Sequence, residues 1–251
     1  MPPSKIFIVP YRNRMEHKTF FLNYINNVML DDDYEIYFST QTDNRPFNRG
    51  AMKNLGFLAM KNKYPDYKNI SFIFNDVDIM PYTKDVFSYD TTKGVIKHNY
   101  GYISCLSASF VIKGEDFEKI NGFPNIWTWG LEDNIIQERA IAHNLKIDRT
   151  KFSPLGSRRV LQLFDGITRM LSAKPITVTK NQFKHDGLNT LKNIVYDINS
   201  QHINISWFDS QFKPEPTIAT DIRNLPNNLP KENEKVKFGM ARILDQHHVF
   251  Y

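Results

Sequence analysis

The sequence predicts an α/β domain built on one mostly parallel central sheet with helices on its faces. Three observations predict it. Short apolar runs of strand length alternate with stretches of helical spacing in the order β-α-β-α-β. The chain has 251 residues, 41% hydrophobic and 24% charged, enough for one large α/β domain with a real core. Polar clusters follow directly on two of the apolar runs, at strand carboxyl ends, where ligands bind in such sheets.

Residues 6–9 form a short apolar run closed by Pro10, which reads as a buried first strand. Arg12, Asn13 and Arg14 make a polar loop. Residues 16–30 then carry Phe20, Phe21, Tyr24, Ile25 and Val28 at helical spacing. Residues 35–39 are a second strand. Asn48 can cap a helix over about residues 50–62, with Met52, Leu55, Leu58 and Ala59 on its apolar side. A third strand, 70–74, runs straight into Asn75-Asp76-Val77-Asp78. Beyond it the pattern predicts strands near 94–97 and 110–112, a short helix at 115–120, and a turn at Asn121-Gly122-Phe123-Pro124. A helix follows over 132–143. After a polar stretch, 193–198 and 202–207 read as two paired strands. From Lys213 onward Pro and Asn are dense. The expected division is a domain at 1–209 and a loosely packed C-terminal extension at 210–251.

The net charge of +5 and the sequence pI of about 9.1 point to an anionic partner. A nucleotide diphosphate satisfies that as well as nucleic acid does. No dense basic run is present and the aromatics do not interleave with basic residues, so no nucleic-acid partner is expected. Cys105 is the only cysteine, which excludes an intramolecular disulfide and a four-cysteine zinc site. The opening stretch puts only the five apolar residues 6–10 before a cluster of charges, and no stretch reaches the ~18 apolar residues of a membrane span. The expectation is a soluble, cytoplasmic chain without a membrane anchor.

Two segments carry chemistry. In Asp76-Val77-Asp78, two carboxylates stand at i and i+2 beyond a buried strand. Hard divalent cations take one or two protein carboxylates plus ligand phosphates, so this pair can serve a metal and a nucleotide ribose together. In the run from Trp127 to Asn134, aromatics suited to sugar faces stand beside Glu132 and Asp133, whose carboxylates can accept hydroxyl hydrogen bonds. Both acids also sit at a helix start, where the dipole favours them.

Together with Phe7-Ile8-Val9-Pro10-Tyr11-Arg12-Asn13-Arg14, Phe47-Asn48-Arg49-Gly50, Asn54-Leu55-Gly56-Phe57, Ile120-Asn121-Gly122-Phe123-Pro124-Asn125 and Asp186-Gly187-Leu188-Asn189, these segments resemble the β-1,4-galactosyltransferase family over roughly residues 5–208. The N-acetylgalactosaminyltransferase domains of chondroitin synthesis show about the same pattern. The resemblance implies a GT-A-type nucleotide-sugar fold and a metal-dependent, inverting transfer of galactose or N-acetylgalactosamine from a UDP-sugar to a saccharide or glycoconjugate acceptor. It implies a uridine and phosphate pocket walled by Pro10, Tyr11, Arg12, Arg14, Phe47 and Arg49, with Val77 and Gly130 also on the donor. Asp76 would meet the ribose, and Asp78 would ligate Mn²⁺ or Mg²⁺. Asp133 matches the general base, Glu132 an orienting carboxylate, Trp129 a mobile ring that closes over the donor, and Tyr102 an acceptor contact.

Three departures from the family matter. Val160 and Leu163 stand where it has a metal-ligating Met and His, which makes His185 the candidate replacement ligand and Arg158 and Arg159 candidate cationic substitutes. Cys105 stands where the family has a donor-discriminating tyrosine, leaving room for an N-acetyl group. The family's disulfides and anchor are missing, which suggests a bacterial, viral or cytoplasmic setting. The competing readings are a non-catalytic nucleotide-sugar- or glycan-binding protein on the same scaffold and, lower, an aspartate-based phosphohydrolase.

Overall fold

The computed structural model describes residues 2–28, 33–174 and 176–221. The first strand, β1 (Lys5–Tyr11), is buried at every position. Ile6 and Ile8 face one core while Phe7, Val9 and Tyr11 face the other, so the strand needs apolar side chains on both sides. Helix α1 (Met15–Val28) leads to β2 (Tyr34–Gln41), helix α2 (Arg49–Lys63) and β3 (Ser71–Asn75). β1 pairs in parallel with both β2 and β3, as the alternating order requires.

The chain then forms β4 (Ile79–Pro81), β5 (Val95–Gly101), β6 (Ser109–Lys113), α3 (Gly114–Lys119), α4 (Glu132–Ala142), β7 (Lys146–Asp148) and β8 (Ser153–Pro154). It continues through β9 (Val160–Gln162), β10 (Thr168–Ser172), α5 (Ile176–Gln182), β11 (Lys192–Asn199), β12 (His202–Asp209) and β13 (Thr217–Asp221). Among the described residues the main sheet runs β11-β12-β2-β1-β3-β6-β5-β7, with β8 also on β5. β6 is antiparallel to β3 and β5, and the predicted β11–β12 pair is antiparallel, so the sheet is mixed but mostly parallel.

The polar stretch after α4 holds structure that periodicity did not predict. β9 pairs with β4, and β10 pairs with β13. The latter draws the start of the expected extension at 210–251 back onto the domain, and residues 222–251 lie outside the described residues.

Helix α2 positions much of the site, and its placement follows from its sequence. Asn48 caps it by accepting from the Ala51 N–H at 2.9 Å. A Cβ at Gly50 would lie 2.0 Å from the Pro124 carbonyl oxygen, and one at Gly56 would lie 2.6 Å from Ile8 Cγ2. Only glycine lets the helix approach both the 121–125 turn and β1 so closely. Asn54 then bonds both the N–H (2.9 Å) and the carbonyl (2.8 Å) of Phe123.

Candidate active site

The candidate site lies at the carboxyl ends of β1 and β3. Asn13 adopts φ 49°, a left-handed turn that asparagine tolerates, and it separates Arg12 from Arg14 at the end of β1. After β3, the Asp76 N–H bonds the Ala108 carbonyl at 2.9 Å, while the Asp78 carbonyl accepts from the Leu163 N–H at 2.8 Å. These backbone contacts set both aspartates against the neighbouring segments. A cleft of 180 Å³ is lined by Pro10, Arg12, Arg14, Phe47, Arg49, Val77 and Asp78.

Charge pairing knits the cleft together. Arg49 reaches Asp76 at 2.9 Å and Glu132 at 3.8 Å. Lys53, one helical turn along α2, lies 3.9 Å from Asp76 and 3.5 Å from Asp133. Burial would raise the Asp76 carboxyl, but Arg49 and then Lys53 outweigh it and hold it below its usual range. Asp78 is raised, first by burial and then by Asp76. Asp133 is pushed up to about 7, chiefly by burial, with Lys53 opposing and Glu132 and Asp76 adding to the rise. Glu132 is buried and its Oε2 has no hydrogen-bond partner among the described residues, an acceptor open to a ligand hydroxyl.

The backbone before these acids is strained. Gly130 has φ 107° and Leu131 has φ 71°, a costly conformation for a branched side chain directly before Glu132 and Asp133. Trp129 is half-buried, and its N–H bonds the Met170 carbonyl at 2.8 Å. The Arg169 guanidinium stands 5.9 Å from its ring centroid. Tyr102 lies on this side too, pushed up to about 12 by burial, with Cys105, Tyr100 and Arg169 among its charged or titratable neighbours.

Several residues sit otherwise than expected. The Tyr11 ring packs in the core, and its hydroxyl accepts from the Arg14 N–H at 3.3 Å. Arg12 borders the cleft but donates to the carbonyls of Asp43 and Arg45. Trp127 is core, stacked on Phe208 at 5.2 Å, with its indole N–H bonded to Ser210 and Phe212. Asp186 is fully buried and accepts from Asn125, so it braces the 121–125 turn. His185 is exposed, with its carbonyl accepting from Asn121, and it does not join Asp78: among the described residues no three or more His, Cys, Asp and Glu gather to hold a metal. Arg158 and Arg159 are exposed, the latter 3.9 Å from Asp85.

Among the described residues the donor set for a metal is therefore Asp78 alone, since Val160 is in the core and Leu163 packs against it. One carboxylate fits a hard cation when diphosphate oxygens and water complete its shell. Sequence reasoning missed three residues of the site. Asp165 takes ion pairs from both Arg14 and Arg169, the latter at 3.1 Å. Lys53 reads in the sequence as a helix-surface charge, and only the fold brings Asp76 and Asp133 to it. No local signal marks the Asp165–Arg169 pair.

The N-terminal region of glycosyl transferase group 7 matches residues 3–91, and the N-terminal domain of galactosyltransferase matches residues 92–162. The chain belongs to the β-1,4-galactosyltransferase family. It is 30% identical over 220 residues to β-1,4-galactosyltransferase 1 of Bos taurus, covering 78% of this chain and 52% of that protein. It is 29% identical over 212 residues to the xylosylprotein 4-β-galactosyltransferase of Caenorhabditis elegans, covering 78% of this chain and 72% of the relative. The chain thus spans about half the length of its mammalian relatives. In fold it matches a mutant Drosophila β-1,4-galactosyltransferase 7 solved with manganese, UDP-Gal and xylobiose, with a TM-score of 0.64 and 18% identity over 80% of this chain and 93% of that one. These solved galactosyltransferases share its GT-A fold.

The family membership corrects one expectation. The relatives are animal galactosyltransferases rather than cytoplasmic bacterial or viral proteins, so the cytoplasmic placement does not stand. No helix among the described residues is long and apolar enough to cross a membrane, and that observation assigns no compartment.

Proposed function

We propose that this galactosyltransferase-family chain transfers galactose or N-acetylgalactosamine from a UDP-sugar to a saccharide hydroxyl, with inversion at the anomeric carbon. One observation carries the reading. Seven residues expected at the donor and metal positions line a single cleft, and Arg49 and Lys53 tie that cleft to Glu132 and Asp133.

In this reading Arg14 and Arg49 offer forked donors to the diphosphate. Asp76 accepts from the ribose, and the open Oε2 of Glu132 accepts from a sugar hydroxyl. Asp133 takes the proton of the acceptor hydroxyl as that oxygen bonds to the sugar's C1. The bond from C1 to the UDP oxygen breaks on the opposite face, and UDP leaves with the electron pair. An α-linked donor therefore gives a β-glycoside. Asp78 would hold a Mn²⁺ or Mg²⁺ ion together with the diphosphate, and such an ion would supply positive charge for the departing UDP.

The sparse ligand set at Asp78 favours a second reading, a nucleotide-sugar-binding protein that has lost transfer. A thermal-shift screen of UDP-galactose and UDP-N-acetylgalactosamine with and without Mn²⁺, followed by transfer assays, separates the two. Stabilisation without any transfer across a panel of saccharide acceptors would favour the binding protein. A new α-linkage by proton NMR would overturn the inverting mechanism.

A further inference from the structure

Lys53 is a lysine where helix α2 is otherwise packed into the core. Its side chain is 2% exposed, and the residues around it, from Gly50 to Phe57, are buried. Its ammonium lies 3.5 Å from Asp133 Oδ1, 3.9 Å from Asp76 Oδ1 and 4.5 Å from the Phe123 ring centroid. A buried ammonium is costly unless it is paired. An apolar side chain of the same length would fill this space without that cost, so the charge itself is what distinguishes the residue.

The charged and titratable groups around Asp133 show what that charge does. From α2 come Arg49 and Lys53, from α4 Glu132, and from the end of β3 Asp76. From the loop between β5 and β6 comes Cys105, a thiol pushed up to about 12 by burial and then by Asp133. Arg49 is already committed to Asp76 at 2.9 Å. Without Lys53, Asp133 would face two like charges with no cation of its own.

We propose that Lys53 is a positioning residue for transfer: its ammonium, set between Asp76 and Asp133, keeps the Asp133 carboxylate ionised and aimed, linking the nucleotide wall to the base. The inference rests on Asp133 being the base of the proposed transfer. Lys53 acts through Asp133, and it reaches Asp76 alongside Arg49.

The test uses the whole chain and two readouts, the pH profile of kcat/KM and the ¹³C titration of labelled aspartate carboxylates. The Asp133 signal is assigned by its loss in Asp133→Asn. In Lys53→Met the acid limb and the Asp133 titration should both move up by about one pH unit or more, roughly a tenfold loss at a fixed pH on the limb. UDP affinity by calorimetry should stay within about threefold, because Arg49 still neutralises Asp76. Lys53→Arg should restore both titrations. If Lys53→Met does not fold, Lys53→Gln, which also lacks the charge, is read in the same way. An unmoved titration in a folded, uncharged variant overturns the proposal, as does a loss of UDP affinity equal to the loss of transfer. Transfer retained by Asp133→Asn sinks the base assignment instead, so the two failures are distinguishable.

Discussion

On one wall of the cleft, Arg49 and Asp76 are anchored by the capped helix α2 and by parallel register. The other wall is the Trp129 segment outside the lining of that cleft, where among the described residues the Trp129 N–H bonds the Met170 carbonyl and the Arg169 guanidinium stands by its ring. The first wall is embedded in the core, with every residue of β3 buried. The second follows two left-handed residues, Gly130 and Leu131, and leans on the short β10–β13 pair. The contrast teaches a division of labour. A wall fixed by sheet and helix can present charges to a nucleotide before it arrives. A wall held by few bonds can rearrange around a sugar and its acceptor. Asp133 begins on the second wall but is tied to the first through Lys53.

The largest effect should come from breaking that junction. Asp133→Asn should lower transfer by about 10²-fold or more while leaving UDP binding nearly intact, as for the loss of a general base. The base must be ionised to work, and burial pushes Asp133 up to about 7. Wild-type kcat/KM should therefore fall about tenfold per unit as pH drops below that value, and the limb should vanish in the variant. Transfer within a few-fold of wild type would pass the role to Glu132.

The nucleotide wall is next. Asp78→Ala should remove the metal-dependent part of UDP affinity, a loss of about tenfold measured by calorimetry with and without Mn²⁺. Because Asp78 is the one candidate ligand in the cleft among the described residues, free Mn²⁺ should bind weakly without UDP, and His185→Ala should change nothing. Full transfer in excess chelator would remove the metal from the mechanism.

What could be read in the sequence follows the same division. Asp76 and Asp78 directly after β3, Asn48 as the α2 cap and Glu132 at the start of α4 are local patterns, and strand order and helix starts come from neighbours in the chain. Trp127 and Trp129 stand two residues apart in one aromatic run, yet only a partner some 80 residues away shows that the first is core: its indole N–H bonds Ser210 at 3.0 Å. Lys53 reads as a helix-surface charge until the fold carries Asp133 to it. His185 was a candidate only because Val160 and Leu163 stand where the family has its metal ligands, and the buried Asp186 beside it spends its carboxylate on Asn125.

At the Trp129 segment, Trp129→Ala should cost transfer about tenfold and change UDP affinity less than about twofold, since the ring is proposed to cover the sugar rather than the uridine. Parallel losses in both assays would return Trp129 to a structural part and weaken the contrast between the walls.

Arg169 gives the finest test, because it belongs to both walls. Asp165 holds it beside Arg14 on the nucleotide side, and its guanidinium faces Trp129 on the sugar side. Its side chain is 17% exposed, and burial and then the Arg49 charge hold its pKa below the usual arginine range. Three arginines so close gain most from an anion between them. A partly screened pair of this kind is worth about 1 kcal/mol, so Arg169→Ala should weaken UDP-sugar binding by roughly fivefold. Arg169→Lys keeps the charge but loses the fork, and should recover only part of that loss. Asp165→Ala frees both arginines and should fall between wild type and Arg169→Ala. An unchanged affinity in Arg169→Ala would mean that the segment from Asp165 to Arg169 only props Trp129. A loss beyond about a hundredfold in transfer, with chelator having no effect, would instead make Arg169 the cation that stabilises the leaving diphosphate.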